Sequence, residues 1–153
     1  MTLLSRLPLF PLYYSGKTKF TPIHCSDLTD VIYHVMTENI NSKIIECVGP
    51  EIITFKEILK RLLKLLDKRR ILIPLQLPLA MFSAKIFQLL PNHLLTEDQL
   101  RLLKYDNILS GKYKNTFDIK TQSQQNFDDE VNKYSYMWSE DGQCSMEKYL
   151  NNK

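Results

Sequence analysis

Glycine is scarce in this sequence. Four of its 153 residues are glycine, and none sits in a Gly-rich turn, so the usual loop that holds a nucleotide's phosphates on bare backbone amides is not visibly encoded. Cysteine is rarer still. Cys25, Cys47 and Cys144 are odd in number and show no Cys-x₂-Cys spacing, which supports neither a disulfide scaffold nor a structural zinc site. Cys25 and Cys47 lie in apolar runs and read as small packed hydrophobes. The three histidines, His24, His34 and His93, have no metal-ligand spacing, and no Gly-x-Ser-x-Gly elbow presents a serine. Excess charge is also missing. Twenty Lys and Arg against seventeen Asp and Glu give +3, without the concentrated basic stripe of a nucleic-acid binder, so no nucleic-acid partner is expected. No secretory leader is read at the start, and a reducing, cytoplasmic setting is the expectation.

What is present suits one modest α/β domain. Hydrophobic residues make up 44% and charged residues 24%, an ordinary globular balance. The run Leu7-Pro8-Leu9-Phe10-Pro11-Leu12-Tyr13-Tyr14 is apolar but broken by prolines, and reads as extended chain. Such an arm needs cover, which suggests a chain that begins mid-fold. Phe20-Thr21-Pro22-Ile23-His24-Cys25 reads as a short strand. Ser26 is placed to cap a helix from Asp27, with Val31, Ile32, Val35 and Met36 as its apolar stripe. Ile44-Ile45-Glu46-Cys47-Val48 reads as a second strand, ended by Gly49-Pro50.

The clearest local signal is Thr54-Phe55-Lys56-Glu57, a capping box. Its helix carries Phe55, Ile58, Leu59, Leu62, Leu63 and Leu66 on one face. Lys56, Lys60 and Lys64 form a basic stripe, read as a solvated face beside a Glu57–Arg61 pair. Arg69-Arg70-Ile71-Leu72-Ile73-Pro74 reads as a third strand. The apolar stretch from Leu77 to Leu90 starts with Pro78 at a helical first position and reads as a buried or partner-covered helix. Thr96-Glu97-Asp98-Gln99 is a second capping box, opening a helix with Leu100, Leu102, Leu103 and Tyr105 inward. Extended chain follows over Asp106-Asn107-Ile108-Leu109-Ser110. Thr121 to Glu130 is polar and reads as loop or disordered, and Ser145 to Leu150 as a last short helix. No residue announces catalysis. Asp27 and Asp30, three apart at a helix start, read as dipole partners rather than an acid/base pair.

Three blocks carry a resemblance: Gly16-Lys17-Thr18-Lys19-Phe20-Thr21-Pro22-Ile23-His24-Cys25-Ser26-Asp27-Leu28; Glu46-Cys47-Val48-Gly49-Pro50-Glu51-Ile52-Ile53-Thr54-Phe55-Lys56-Glu57-Ile58-Leu59; and Leu95-Thr96-Glu97-Asp98-Gln99 leading to Asp106-Asn107. Their order resembles the C-terminal half of an extended or atypical short-chain dehydrogenase, in the NAD-dependent epimerase/dehydratase family. The third block is similar, more narrowly, to the subgroup that contains the NAD(P)H-binding accessory subunit of respiratory complex I (the alpha-subcomplex subunit nine type) and its bacterial relatives. The resemblance spans about Leu7 to Ile119. It departs from the family in three ways: there is no Gly-x-Gly-x-x-Gly turn, no Tyr-x₃-Lys pair, and Phe20 stands where nucleotide-sugar epimerases place a phosphate-binding Arg.

The fold this implies is the C-terminal lobe of a Rossmann-like dehydrogenase. It would be mostly helical with a few short strands and would lack the N-terminal dinucleotide-binding half. Residues 1–119 would form the substrate-side lobe and residues 120–153 a polar tail. The resemblance implies NADPH or NAD for the complete fold, none bound by this chain alone, and no catalytic, cofactor-binding or metal residue here. Lys19, His24 and Asp27 are its candidate substrate-side residues. The function it implies is a non-catalytic accessory or remnant subunit docked on a missing Rossmann half or a respiratory complex, peripheral to the inner membrane. The alternatives are the substrate-side half of a split epimerase or reductase, and a membrane-surface adaptor.

Overall fold

The computed structural model describes residues 4, 8–41, 43–75, 97–119, 125–138 and 142. They form a small α/β protein with short strands and helices. The expected helices over Leu77 to Leu90 and Ser145 to Leu150, together with the Thr96 cap, lie outside the described residues.

The proline-broken arm becomes strand β1 (Leu9–Tyr13). It pairs in parallel with β5 (Ile71–Leu75), Leu9 opposite Ile71 and Tyr13 opposite Leu75. The Ile71 N–H donates to the Pro8 carbonyl at 3.3 Å, and this sets the phase of the ladder. In parallel pairing alternate residues bond inward and outward, so Phe10 and Leu12 on β1 and Ile71, Ile73 and Leu75 on β5 bond inward. Pro11 and Pro74 therefore fall on outward positions. Their missing N–H groups cost this ladder nothing, and each removes a donor from the outer edge of its strand. Among the described residues this sheet has two strands.

Helix α2 (Phe55–Leu65) covers one face of the ladder. The capping box forms as expected: the Thr54 side chain accepts from the Glu57 N–H at 3.2 Å, and the Glu57 carboxylate accepts from the Thr54 N–H at 2.8 Å. Leu59 and Leu63 meet Leu4 and Leu12 in the core, with Phe10, Phe55, Leu62 and Leu72 packed around them. The cover that the apolar arm requires is thus found within this chain. Lys56, Lys60 and Lys64 are all exposed.

Strand β2 is shorter than read, only Lys19–Phe20, and pairs antiparallel with β4 (Ile53–Thr54). On its other side Phe20 bridges Asn107, whose carbonyl accepts from the Thr21 N–H at 3.1 Å. Pro22, lacking an N–H, ends any ladder there. Gly49 passes so close that an added Cβ would lie 1.7 Å from the Pro22 carbonyl oxygen. Only glycine permits that crossing. Strand β3 (Ile45–Glu46) pairs in parallel with β6 (Lys114–Asn115). Thr116 next to it is fully buried and accepts from the Val48 N–H at 2.9 Å.

Helix α1 (Cys25–Thr37) begins earlier than expected. Its cap is His24 rather than Ser26: the imidazole Nδ1 accepts from the Ser26 N–H at 3.3 Å. The apolar stripe is also narrower than its sequence pattern. Val31 is buried, whereas Ile32 is 52% and Met36 72% exposed, because cover lies against only one side of the helix. Helix α3 (Glu97–Leu102) buries Leu100 against Tyr13, with Leu75 and Leu103 alongside, while Leu102 and Tyr105 turn outward instead of inward.

The polar stretch read as loop or disordered up to Glu130 is corrected from Phe127 onward. Phe127–Ser135 is helix α4, capped by Asn126, with Val131 and Ser135 buried. Its polar composition hid a helix held by few apolar contacts.

Candidate functional site

The sequence-derived candidates separate into two places. Lys19 lies on β2, exposed, and its N–H donates to the Asp106 carboxylate at 2.8 Å. His24 and Asp27 instead face the start of α4. Asp27 is buried in the first turn of α1, where a carboxylate is favoured by the helix's positive end, and the Gln125 N–H lies 3.4 Å from its oxygen. The structure does not gather Lys19, His24 and Asp27 around one centre.

The His24 neighbourhood is polar and close-set. Nδ1 receives the Ser26 N–H and stands 2.8 Å from the Ser26 hydroxyl, while Nε2 is 3.5 Å from a Glu130 carboxylate oxygen. With Nδ1 committed as an acceptor, the proton of the neutral ring sits on Nε2 and points to Glu130. The Gln125 amide fits best with its oxygen receiving the Ser26 hydroxyl at 2.6 Å and its nitrogen donating to Glu130 at 2.7 Å. Lys133 pairs with the same carboxylate. A pocket of about 170 Å³ opens beside this group, lined in part by Pro22, His24, Phe127 and Tyr134.

Arg61 ties the two helices to this region. Both Glu51 carboxylate oxygens lie 2.9 Å from one of its nitrogens, and Asp128 lies at 3.7 Å. The hydrogen bond to Glu51 raises the Arg61 pKa above its ordinary value. The expected Glu57–Arg61 pair gives way to this arrangement, because Glu57 is engaged by the Thr54 cap. That cap holds the Glu57 carboxyl below the usual carboxylate range, first through the Thr54 backbone and then through its hydroxyl.

The second place is an open cleft of about 660 Å³ between β2, α2 and the chain leaving α3. Phe20 and Phe55 form its wall, with ring centres 6.3 Å apart. Leu102, Leu103, Tyr105, Asp106 and Asn107 complete it. Thr18 donates to the carbonyl of Leu103, one of the lining residues. Aromatic walls with two polar groups at one end suit an apolar occupant that brings a donor to Asp106.

Cys25 departs from its reading as a packed hydrophobe. Cys25 is exposed rather than packed, at the first position of α1, with its sulfur 3.8 Å from His24 Nε2. Cys47 is half-buried, and desolvation pushes its thiol pKa up. Among the described residues no group of three or more His, Cys, Asp or Glu side chains is placed to hold a metal ion, and no helix is long and apolar enough to cross a membrane. A dinucleotide's pyrophosphate needs free amides at a glycine-lined helix start. The starts of α1 and α2 do not fit it: neither carries a glycine, each has an acidic residue in its first turn (Asp27, Glu57), and one amide of each is already capped.

Compared with known proteins, the chain matches no protein-family model and no curated protein sequence. The geometry above is therefore what bears on function. Sequence reasoning found His24 and Asp27 but missed Gln125, Glu130 and Arg61's pairing, which depend on a helix hidden in a polar stretch. It also missed the cleft. The aromatic positions Phe20 and Phe55 were visible, but their convergence depends on the pairing of β2 with β4.

Proposed function

We propose that this chain is a non-catalytic accessory subunit: the C-terminal, substrate-side lobe of a short-chain dehydrogenase of the epimerase/dehydratase type, akin to the complex I accessory subgroup. It docks on a partner that carries the dinucleotide-binding half. The observation that supports this reading is the open cleft walled by Phe20 and Phe55. It is concave and largely apolar, yet its lining side chains include no Lys, Arg or Gly to hold a cofactor's phosphates. A half-site of that kind gains a function when a second surface closes over it. NADPH or NAD would enter with the partner, which supplies the phosphate-binding turn. The split-enzyme alternative draws less support, because His24 and Asp27 are turned toward α4 and away from Lys19.

Titration of the full chain with NADPH, followed by calorimetry, tests the assignment. No binding is expected for the chain alone. Saturable binding would overturn the reading by placing a dinucleotide site within this chain. If the chain is purified with its partner, that partner should contain a Gly-x-Gly-x-x-Gly strand-turn-helix, and Phe20→Glu should release it.

A further inference from the structure

Helix α4 is attached to the fold differently from α2. It is nine residues long, shorter than a helix that sustains itself in water. Val131 is its one fully buried apolar side chain, whereas α2 buries Leu59 and Leu63 and is backed by Leu66. The rest of its attachment is polar. Glu130 meets the His24 ring, Asp128 faces Arg61, and Gln125, just ahead of the helix, reaches Ser26 and Asp27. Its first turn is acidic throughout, with Asp128, Asp129 and Glu130, and it is set against the imidazole of His24 and the guanidinium of Arg61. Each of these polar contacts can be exchanged for water at little cost, unlike a leucine core.

We propose that α4 is a displaceable latch over the start of α1. Closed, it lies against the His24 ring and the Asp27 carboxylate and packs on α2. Open, it frees His24, Ser26 and Asp27 together and leaves the body of the fold, built on β1, β5 and α2, intact. The latch is held mainly by charge and hydrogen bonds, so salt loosens it while leaving the core unaffected. This inference stands apart from the docking reading, since it concerns only contacts within this chain.

Amide hydrogen exchange of the full chain, read by mass spectrometry after correction for intrinsic rates, tests it. The amides of 127–135 should exchange at least roughly tenfold faster than those of 55–65, as for a unit that opens independently of global unfolding. High salt, Asp128→Asn and Glu130→Gln should each speed exchange in 127–135 and leave 55–65 unchanged. Comparable rates in the two helices would overturn the proposal by making α4 part of the global folding unit. Acceleration of both helices together by the two substitutions would overturn it equally. Because these two variants are nearly isosteric, both should fold, so the comparison does not depend on truncating the chain.

Discussion

Thr54 and Glu57 start α2 by satisfying each other's backbone amides, and that small exchange makes the helix start legible from four letters of sequence. Thr54→Ala should cost about 1–2 kcal/mol in urea denaturation, the usual worth of such a cap. Glu57 adds a pH signature. Its folded pKa lies below the ordinary value of 4.5, so its contribution is fully present above that value and is lost as pH falls through the depressed pKa. Acid titrations of the wild type and Glu57→Gln should therefore differ in stability near neutrality and converge at the acid end. The cap of α1 was less legible. Ser26 has the side chain that caps helices most often, but His24 takes that place two residues earlier, its ring nitrogen accepting from the Ser26 N–H itself. A second residue-scale test lies in the turn after β1, where Tyr14, Ser15 and Gly16 all take positive φ, Ser15 at 56°. For serine that conformation is strained, so Ser15→Gly should gain about 0.5–1 kcal/mol by chemical denaturation.

At the scale of elements, the apolar periodicity of α2 translated directly into burial because a parallel ladder lies under its whole face. The same kind of pattern on α1 did not. Val31 and Val35 stand four apart, as do Ile32 and Met36, but apolar spacing reports a possible face and not whether anything covers it. The contrast is measurable. Leu59→Ala should destabilise the fold by about 2–4 kcal/mol, while Ile32→Ser should change it by no more than about 0.5 kcal/mol. Equal losses at the two positions would mean that α1 is covered on both sides in solution. Helix α4 shows the opposite failure of legibility. Its stretch is polar because a single valine anchors it, and its partners Arg61 and His24 lie far away in the sequence. Pair contacts of that kind leave no local pattern to read.

For the molecule as a whole, local pattern marked β1, β5 and the first three helices, passed over β4, β6 and α4, and carried nothing of how the strands pair. β1 and β5 were both read as extended chain, but nothing local says that residues about sixty apart run side by side. The same holds for Phe20 and Asn107, whose bridge shapes the cleft. The two prolines of the ladder have a consequence for life in a crowded solution. Among the described residues this apolar parallel sheet has two short strands, and bare edges on such a sheet would be a template for copies of itself, strand adding to strand without limit. Pro11 removes the middle donor from the outer edge of β1 and Pro74 one of the two from that of β5, so a growing stack would have to skip a bond on either side. The double substitution Pro11→Val and Pro74→Val keeps the inner ladder and restores both rims. It should turn a dispersed protein into one that forms thioflavin-binding fibrils on standing, whereas either single substitution, with one rim still blocked, should stop at small oligomers.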